Sequence, residues 1–325
     1  MRRAGRRGSI LIISLSLVAV LSVLAVSVGR QLSLDVRLTK YRLAREQAAA
    51  LARSGVYLAI QRLARDEAES DGKVYDWLGD EWATPPPSDP ADGPGGWVVP
   101  APAQAELRIH ISDEERKLRL NDATLQQLAR LTGDEAVAQA IIDARDEPDA
   151  AEDSPAGTPP YFAKNGPFTA PEELADLPGM TPEHYEILQG HASPYPASTE
   201  PLNLNTATPE VLGAAGLTER AVQLVLAYRD GPDGAEAHEQ DGVFTEAGLA
   251  VLQTLKDAEG VDLTGTEDGN LLSSGLFGVS STVFTVVAEG VTAHPAARAR
   301  VEAVVRRAAC GEGLPEPCII AWRER

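Results

Sequence analysis

The side chains with chemical potential are mostly carboxylates gathered in two loops. Asp143, Asp146, Asp149, Glu152 and Asp153 form one cluster; Asp230, Asp233, Glu236, Glu239 and Asp241 form the other. Oxygen-rich flexible loops suit Ca²⁺, which takes 6–8 oxygen ligands. A solvated loop that keeps an acidic protein soluble has the same composition, and the residues alone favour that reading. Cys310 and Cys318 are the chain's two cysteines, separated by a Gly/Pro-rich turn. In an oxidising compartment they would bridge two neighbouring strands; in a reducing one they remain thiols. A zinc site lacks its remaining ligands. The five histidines (His110, His184, His191, His238 and His294) are scattered. His184 and His191 read as a solvated pair, not a metal site. No GxxxxGK[ST], GxSxG or HExxH pattern occurs, so no catalytic constellation is expected.

Charge excludes a second class. The chain of 325 residues carries 48 acidic and 29 basic residues, a formal net charge of −19. Four of the arginines (Arg2, Arg3, Arg6 and Arg7) lie ahead of an apolar run, leaving the rest more acidic still. Such a body repels phosphate backbones, and no basic patch stands out to override it.

That apolar run, Ser9 to Val28, holds no charge. At 1.5 Å per residue it spans about 30 Å, the hydrocarbon thickness of a bilayer. A cleaved signal peptide usually has a shorter core. Here helix-forming sequence continues past Arg30, with Leu34, Leu38 and Tyr41 at helical spacing, so one helix over residues 9–66 is expected. The preceding arginines would keep the N-terminus cytoplasmic and export the rest. The polar half of the helix has an apolar stripe to bury, as an assembly element would.

Thr84 to Pro102 is rich in Pro and Gly and reads as a loop. Glu106–Ile111 alternates like a half-buried strand, and Ser281–Gly290, Arg298–Arg307 and Cys318–Glu324 read as three more. Helical sequence between the two groups suggests one sheet interrupted by an insertion. The insertion is internally duplicated. LNDATLQQL from Leu120 recurs as LNTATPEVL from Leu204, offset by 84 residues, and RDEP at Arg145 recurs as RDGP at Arg229. Each half then carries an FT-initiated segment, from Phe168 and Phe244. Thr124 and Thr208 stand at expected helix N-caps.

Several of these segments resemble known families. GLTERA from Gly216 is similar to the hairpin of helix-hairpin-helix DNA-binding proteins. Thr218 replaces its second glycine, and Glu219 and Arg220 stand at its lysine positions; LPGMTPEH from Leu177 departs in the same way, with Thr181. A bulkier, more acidic hairpin approaches phosphate poorly. Gly8 and Ser9, after an Arg-rich leader, resemble the class III signal of type IV pilins and pseudopilins. In that family a prepilin peptidase cuts after the glycine and methylates the new N-terminus; Ser9 stands where a bulky apolar residue is usual. Most members carry Glu at the fifth mature position, where this chain has Ile13. Lack of that glutamate is characteristic of the K-type minor pseudopilin of type II secretion. A buried carboxylate there is tolerable only beside a neighbour's terminal ammonium, which a topmost subunit lacks. Other segments resemble the same family: Lys117–Asn121, Ala151–Asp153, Pro159–Phe168, Leu202–Ala207 and Ser280–Val286.

The resemblance implies an α+β, pilin-like fold: a long N-terminal helix packed on an antiparallel sheet, with a large inserted all-α domain of duplicated helix-hairpin-helix-like (SAM-like) units. The expected organisation is a leader (1–8), a transmembrane stalk (9–66), a first part of the sheet (67–120), the insert (121–258) and a second part of the sheet (259–325). The implied role is non-enzymatic: a single-pass inner-membrane protein with a periplasmic body that starts and caps a pseudopilus. Its partners would be I- and J-type minor pseudopilins, the prepilin peptidase and exported substrate, and not nucleic acid. Calcium in the first acidic loop is implied by the resemblance, since K-type pseudopilins bind it. A membrane-tethered DNA receptor of the competence type and a minor pilin of a type IV pilus are the alternatives.

Overall fold

The computed structural model describes residues 7–69, 75–83, 96–101, 105–146, 164–195, 200–231, 234, 241–307 and 317–325. A single helix, α1 (Arg7–Glu69), opens the chain. Its membrane-length apolar part is wholly exposed, and Leu34, Leu38 and Tyr41 are exposed as well. The face buried within this chain begins only at Ala44 and continues through Ala48, Ala52, Val56, Ala59 and Leu63. That three-to-four-residue spacing is one helical stripe. The residues are small at its start because the helix lies close to a sheet there. A Cβ on Gly290 would collide with the carbonyl of Ala48, and one on Gly55 would meet Leu107 and Ala288.

The sheet has five antiparallel strands in the order β1-β2-β7-β8-β9. They are β1 (Gly96–Ala101), β2 (Ala105–Asp113), β7 (Val283–Ala293), β8 (Ala296–Arg306) and β9 (Cys318–Glu324). β2 alternates buried and exposed residues, with Leu107, Ile109 and Ile111 facing α1. The strand β1 falls inside the stretch expected to be a loop. Trp97 is buried against the α1 core, and Pro100 is tolerated because β1 is an edge strand.

β2 and β7 are neighbours in the sheet, with Asp113 opposite Phe284. Residues 114–282 are thus spliced into what would otherwise be a hairpin turn. Within them the sequence repeat is a structural repeat. The first half runs β3 (Leu118–Arg119), α2 (Leu125–Thr132), α3 (Glu135–Arg145), a 3-10 helix (Pro171–Asp176), α4 (Pro182–His191) and β4 (Ala192–Ser193). The second runs β5 (Leu202–Asn203), α5 (Pro209–Ala215), α6 (Glu219–Arg229), α7 (Leu249–Glu259), α8 (Glu267–Leu272) and β6 (Phe277–Gly278). β3 pairs in parallel with β4, and β5 with β6. Each half has its own apolar core.

The repeat extends to single hydrogen bonds. Asn121 donates to the Phe168 carbonyl at 3.0 Å and accepts from the Phe168 amide at 2.7 Å. Asn205 does the same with Phe244, at 2.9 Å both ways. Arg145 reaches back to the Leu120 carbonyl at 2.7 Å, and Arg229 to the equivalent Leu204 carbonyl at 3.5 Å and, more closely, to that of Ala207 at 2.6 Å. Thr124 and Thr208 cap α2 and α5.

Candidate functional site

The densest polar cluster lies where the insert leaves and rejoins the sheet. Asp113 ends β2, Glu114 and Glu115 follow it, and all three are buried. Asp113 Oδ2 accepts from Thr206 Oγ1 at 2.5 Å, Ser281 Oγ at 2.7 Å and Asn203 Nδ2 at 3.4 Å. Its Oδ1 accepts from the Glu115 amide at 2.8 Å. Glu115 Oε1 accepts from the amide and hydroxyl of Thr282, at 2.9 and 2.7 Å, and the Asn203 amide donates to the Glu115 carbonyl. Glu114 pairs with Lys117 at 2.8 Å and accepts from Ser193. One knot therefore ties the end of β2, the start of β7 and both halves of the insert. Unpaired, these groups would be costly to bury.

A second cluster adjoins it. Ser281 donates its amide to Asp76 at 2.7 Å, in the turn after α1. Arg307, at the end of β8, grips Asp76 at 2.6 Å and Asp66 of α1 at 3.0 Å, and its guanidinium lies over the Phe284 ring. Stalk, sheet and insert thus converge within one hydrogen-bonded network. Its electrostatics are strained. Burial, outweighing the donors around it and reinforced by Asp76, raises the pKa of Asp113. Burial and the neighbouring charge of Asp113 push Glu115 up to about 8.

Asp66, Asp76 and Asp80 are a carboxylate group close enough to share a cation among the described residues. Arg307 already bridges two of them. Of the first acidic loop, Asp143 accepts from Gln139 and Asp146 from Arg145; Asp149, Glu152 and Asp153 lie outside the described residues. In the second loop Asp230 accepts from Arg229 at 3.2 Å, while Asp233, Glu236 and Glu239 lie outside as well. The described carboxylates are hard oxygen donors, the ligand type that Ca²⁺ takes. Cys318 is disulfide-bonded; Cys310 lies outside the described residues. Gly8 and Ser9 fall in the first turn of α1, where only the backbone is described. Ile13 is exposed on α1. His191 Nδ1 lies 3.1 Å from Thr208 Oγ1.

The hairpins of the insert are occupied. Asp134 Oδ1 accepts from the amides of Ala136 and Val137, and Asp268 accepts from the amide and hydroxyl of Thr218. Amides that would meet a phosphate already hold carboxylates, so DNA binding is not favoured.

In the sequence Asn203, Thr206 and Ser281 stand out only as parts of short segments and Arg307 only as a strand end, while Asp113, Glu115 and Asp76 belong to no motif. The signal available was the run SDEERK at a strand end, immediately before Leu118.

A long helix whose C-terminal part lies on an antiparallel sheet, with a helical domain spliced into a hairpin, is a pilin-like fold. Over 91% of this chain and 99% of the other, it superposes with TM-score 0.60 and 16% identity on GspK in the crystal structure of the GspK-GspI-GspJ complex from the enterotoxigenic Escherichia coli type 2 secretion system. Residues 110–197 match the family described as type II secretion system (T2SS), protein K. The matched stretch begins within β2 and contains Asp113, Glu115 and the whole first half of the insert. The family match and the superposition overlap on the first half of the insert, and both are likenesses to a protein K of type II secretion. No curated protein matches the chain in sequence.

Proposed function

We propose that the chain initiates and caps the tip of a periplasmic pseudopilus by assembling with I- and J-type minor pseudopilins. It does so as a structural subunit and not as an enzyme. In this reading the leader is removed between Gly8 and Ser9, the stalk stays in the inner membrane with its N-terminus cytoplasmic, and the body is periplasmic. The carrying observation is the division of α1. Residues from Ala44 onward pack on the sheet, whereas Leu34, Leu38, Tyr41 and Leu43 are exposed and find no cover in this chain. A stalk with an uncovered apolar stretch outside the bilayer suits packing against sister stalks. The solved structure it superposes on is a complex of three such proteins, which favours the same kind of partner here. A helical insert at the end of the sheet where β2 gives way to β7 suits a tip position, and Ile13 lacks the carboxylate that a subunit above would neutralise.

Co-expression with the I- and J-type pseudopilins of the same secretion locus tests the reading. A ternary complex should purify through the full chain, and recovery of the chain alone would refute it. Ile13→Glu should weaken secretion or lengthen the fibre; unchanged tips and secretion would remove the role assigned to that position. Bound Ca²⁺ in the first acidic loop is part of the proposal, and so is a bridge from Cys310 to Cys318. Chelation should lower the melting temperature and added calcium restore it; a temperature indifferent to both would remove the ion from the account.

A further inference from the structure

Although the chain is strongly acidic overall, folding sets sheet arginines beside the basic run Arg37–Arg45 of α1 and forms a positive cleft. It has a volume of about 460 Å³ and lies between α1 and the edge of the sheet formed by β8 and β9. Arg42, Arg45 and Arg53 contribute from α1, and Arg300 and Arg325 from the sheet side. Among the residues that line it, Glu46 and Glu324 are the carboxylates. The floor includes Ala49 and Ala299, small enough to admit a chain close to the surface.

The five arginines are not equally engaged. Arg53 is held bidentately by Glu324, at 2.9 and 2.8 Å, and this holds Glu324 down to about 2. Arg325 pairs with Glu172 at 2.6 Å, and Arg300 lies 3.8 Å from Glu302. Arg42 and Arg45 are exposed, with no ion pair or hydrogen bond to any described residue. The Arg53–Glu324 pair shows which group this surface accommodates: a carboxylate met by a planar guanidinium fork.

A lipid phosphate is badly placed to fill the remainder. The apolar run ends at Val28, and Arg42 is 14 residues further along an unbroken helix. At 1.5 Å per residue that is about 20 Å beyond the hydrocarbon, whereas headgroups occupy only about 5–8 Å on each side. Adjacent on α1, Leu38, Tyr41 and Leu43 are exposed apolar residues, so a helix that covers them runs directly into the cleft.

We propose that the cleft formed by Arg42, Arg45, Arg53 and Arg300 receives a carboxylate-bearing segment of the stalk of a neighbouring fibre subunit. This rests on the assembly reading above. It adds the surface used and the chemistry of what binds there. Apolar cover on Leu38 and Tyr41 supplies adhesion, while Arg42 and Arg45 fix the axial register, because a carboxylate one turn away misses them.

The test uses the full chain in detergent, co-expressed with the I- and J-type pseudopilins. Arg42→Glu/Arg45→Glu should reduce the partner retained by about tenfold or more. Its melting temperature should be unchanged, since neither side chain is buried. Cross-linking through Arg45→Cys should map to an acidic residue of the partner stalk, and reversing that residue to Arg should restore the complex. Full retention by the double variant would overturn the cleft as a docking surface and leave the assembly reading intact. No complex with the unaltered chain would overturn both. If vesicles of phosphatidylglycerol shield Arg42 and Arg45 from phenylglyoxal while partners do not, the surface belongs to lipid and the proposal is wrong.

Discussion

Asp113, Glu114 and Glu115 are consecutive buried carboxylates, and each is balanced by different means: hydroxyls for Asp113, Lys117 for Glu114, and Thr282 for Glu115. Hydroxyls and amides stabilise a carboxylate less than a cation does, so burial wins at Glu115 and lifts it from 4.5 to about 8. A raised pKa means that the folded chain holds a proton the unfolded chain releases. Its contribution to stability is full below pH 4.5 and is lost as pH rises through about 8. Melting temperature should therefore fall across that window, and Glu115→Gln should flatten the slope. An identical slope in the variant would show that Glu115 does not titrate there. Arg307 is the opposite case, a half-buried cation shared by Asp66 and Asp76. Arg307→Ala takes the shared cation from both carboxylates, and denaturant unfolding should show a loss of about 1–3 kcal/mol. None of this was legible in the sequence beyond a run of charges. What makes Asp113 buried is Ser281 and Thr206, which are remote in the chain and reach it only when the insert closes.

Between residue and molecule, the elements divide into those written in local pattern and those that depend on remote partners. The strand at Glu106–Ile111 and the three C-terminal strands follow from alternation, and the helix caps at Thr124 and Thr208 follow from side-chain type. The duplication was legible as letters, and the paired Asn–Phe clamps give it a physical meaning: each Asn closes one half of the insert on itself. Asn205→Ala leaves a buried amide and carbonyl of Phe244 without that partner, which should cost about 1–3 kcal/mol. Hydrogen exchange should quicken in the second half of the insert and not in the sheet. Uniform quickening would contradict the independence of the two halves. β1 escaped because Pro and Gly flank it and its apolar core is only Trp97 to Val99. The close approach of α1 to β7 was equally unreadable, since it depends on Gly290 facing the Ala48 carbonyl. Gly290→Val places side-chain atoms against helix backbone that has no rotamer to yield. It should destabilise by at least about 1–3 kcal/mol in thermal unfolding, and a neutral effect would show that the helix is not held where it lies.

At the scale of the whole molecule, one helix serves two environments, and the insert is carried by a hairpin that it interrupts. The five-stranded sheet is closed around residues 114–282 by the Asp113 knot, so the sheet does not need the insert's interior to define its register. Arg306 of β8, Arg323 of β9 and Arg325 just beyond it reach Glu200 and Glu172 on the insert, steadying it against the sheet edge. These are partly exposed pairs, so they bias orientation more than they add stability. In the oxidised chain Cys318 should prove linked to Cys310, as peptide mapping without reductant will report; a linkage to another molecule would displace that assignment. The claim that governs the rest is that α1 remains whole, with its lipid-length segment still joined to the part that lies on the sheet. Intact-mass analysis of the protein extracted from inner membranes tests this most directly. The account predicts a chain beginning at Ser9 with a methylated amine; a chain beginning near residue 30, stripped of its apolar run, would contradict it.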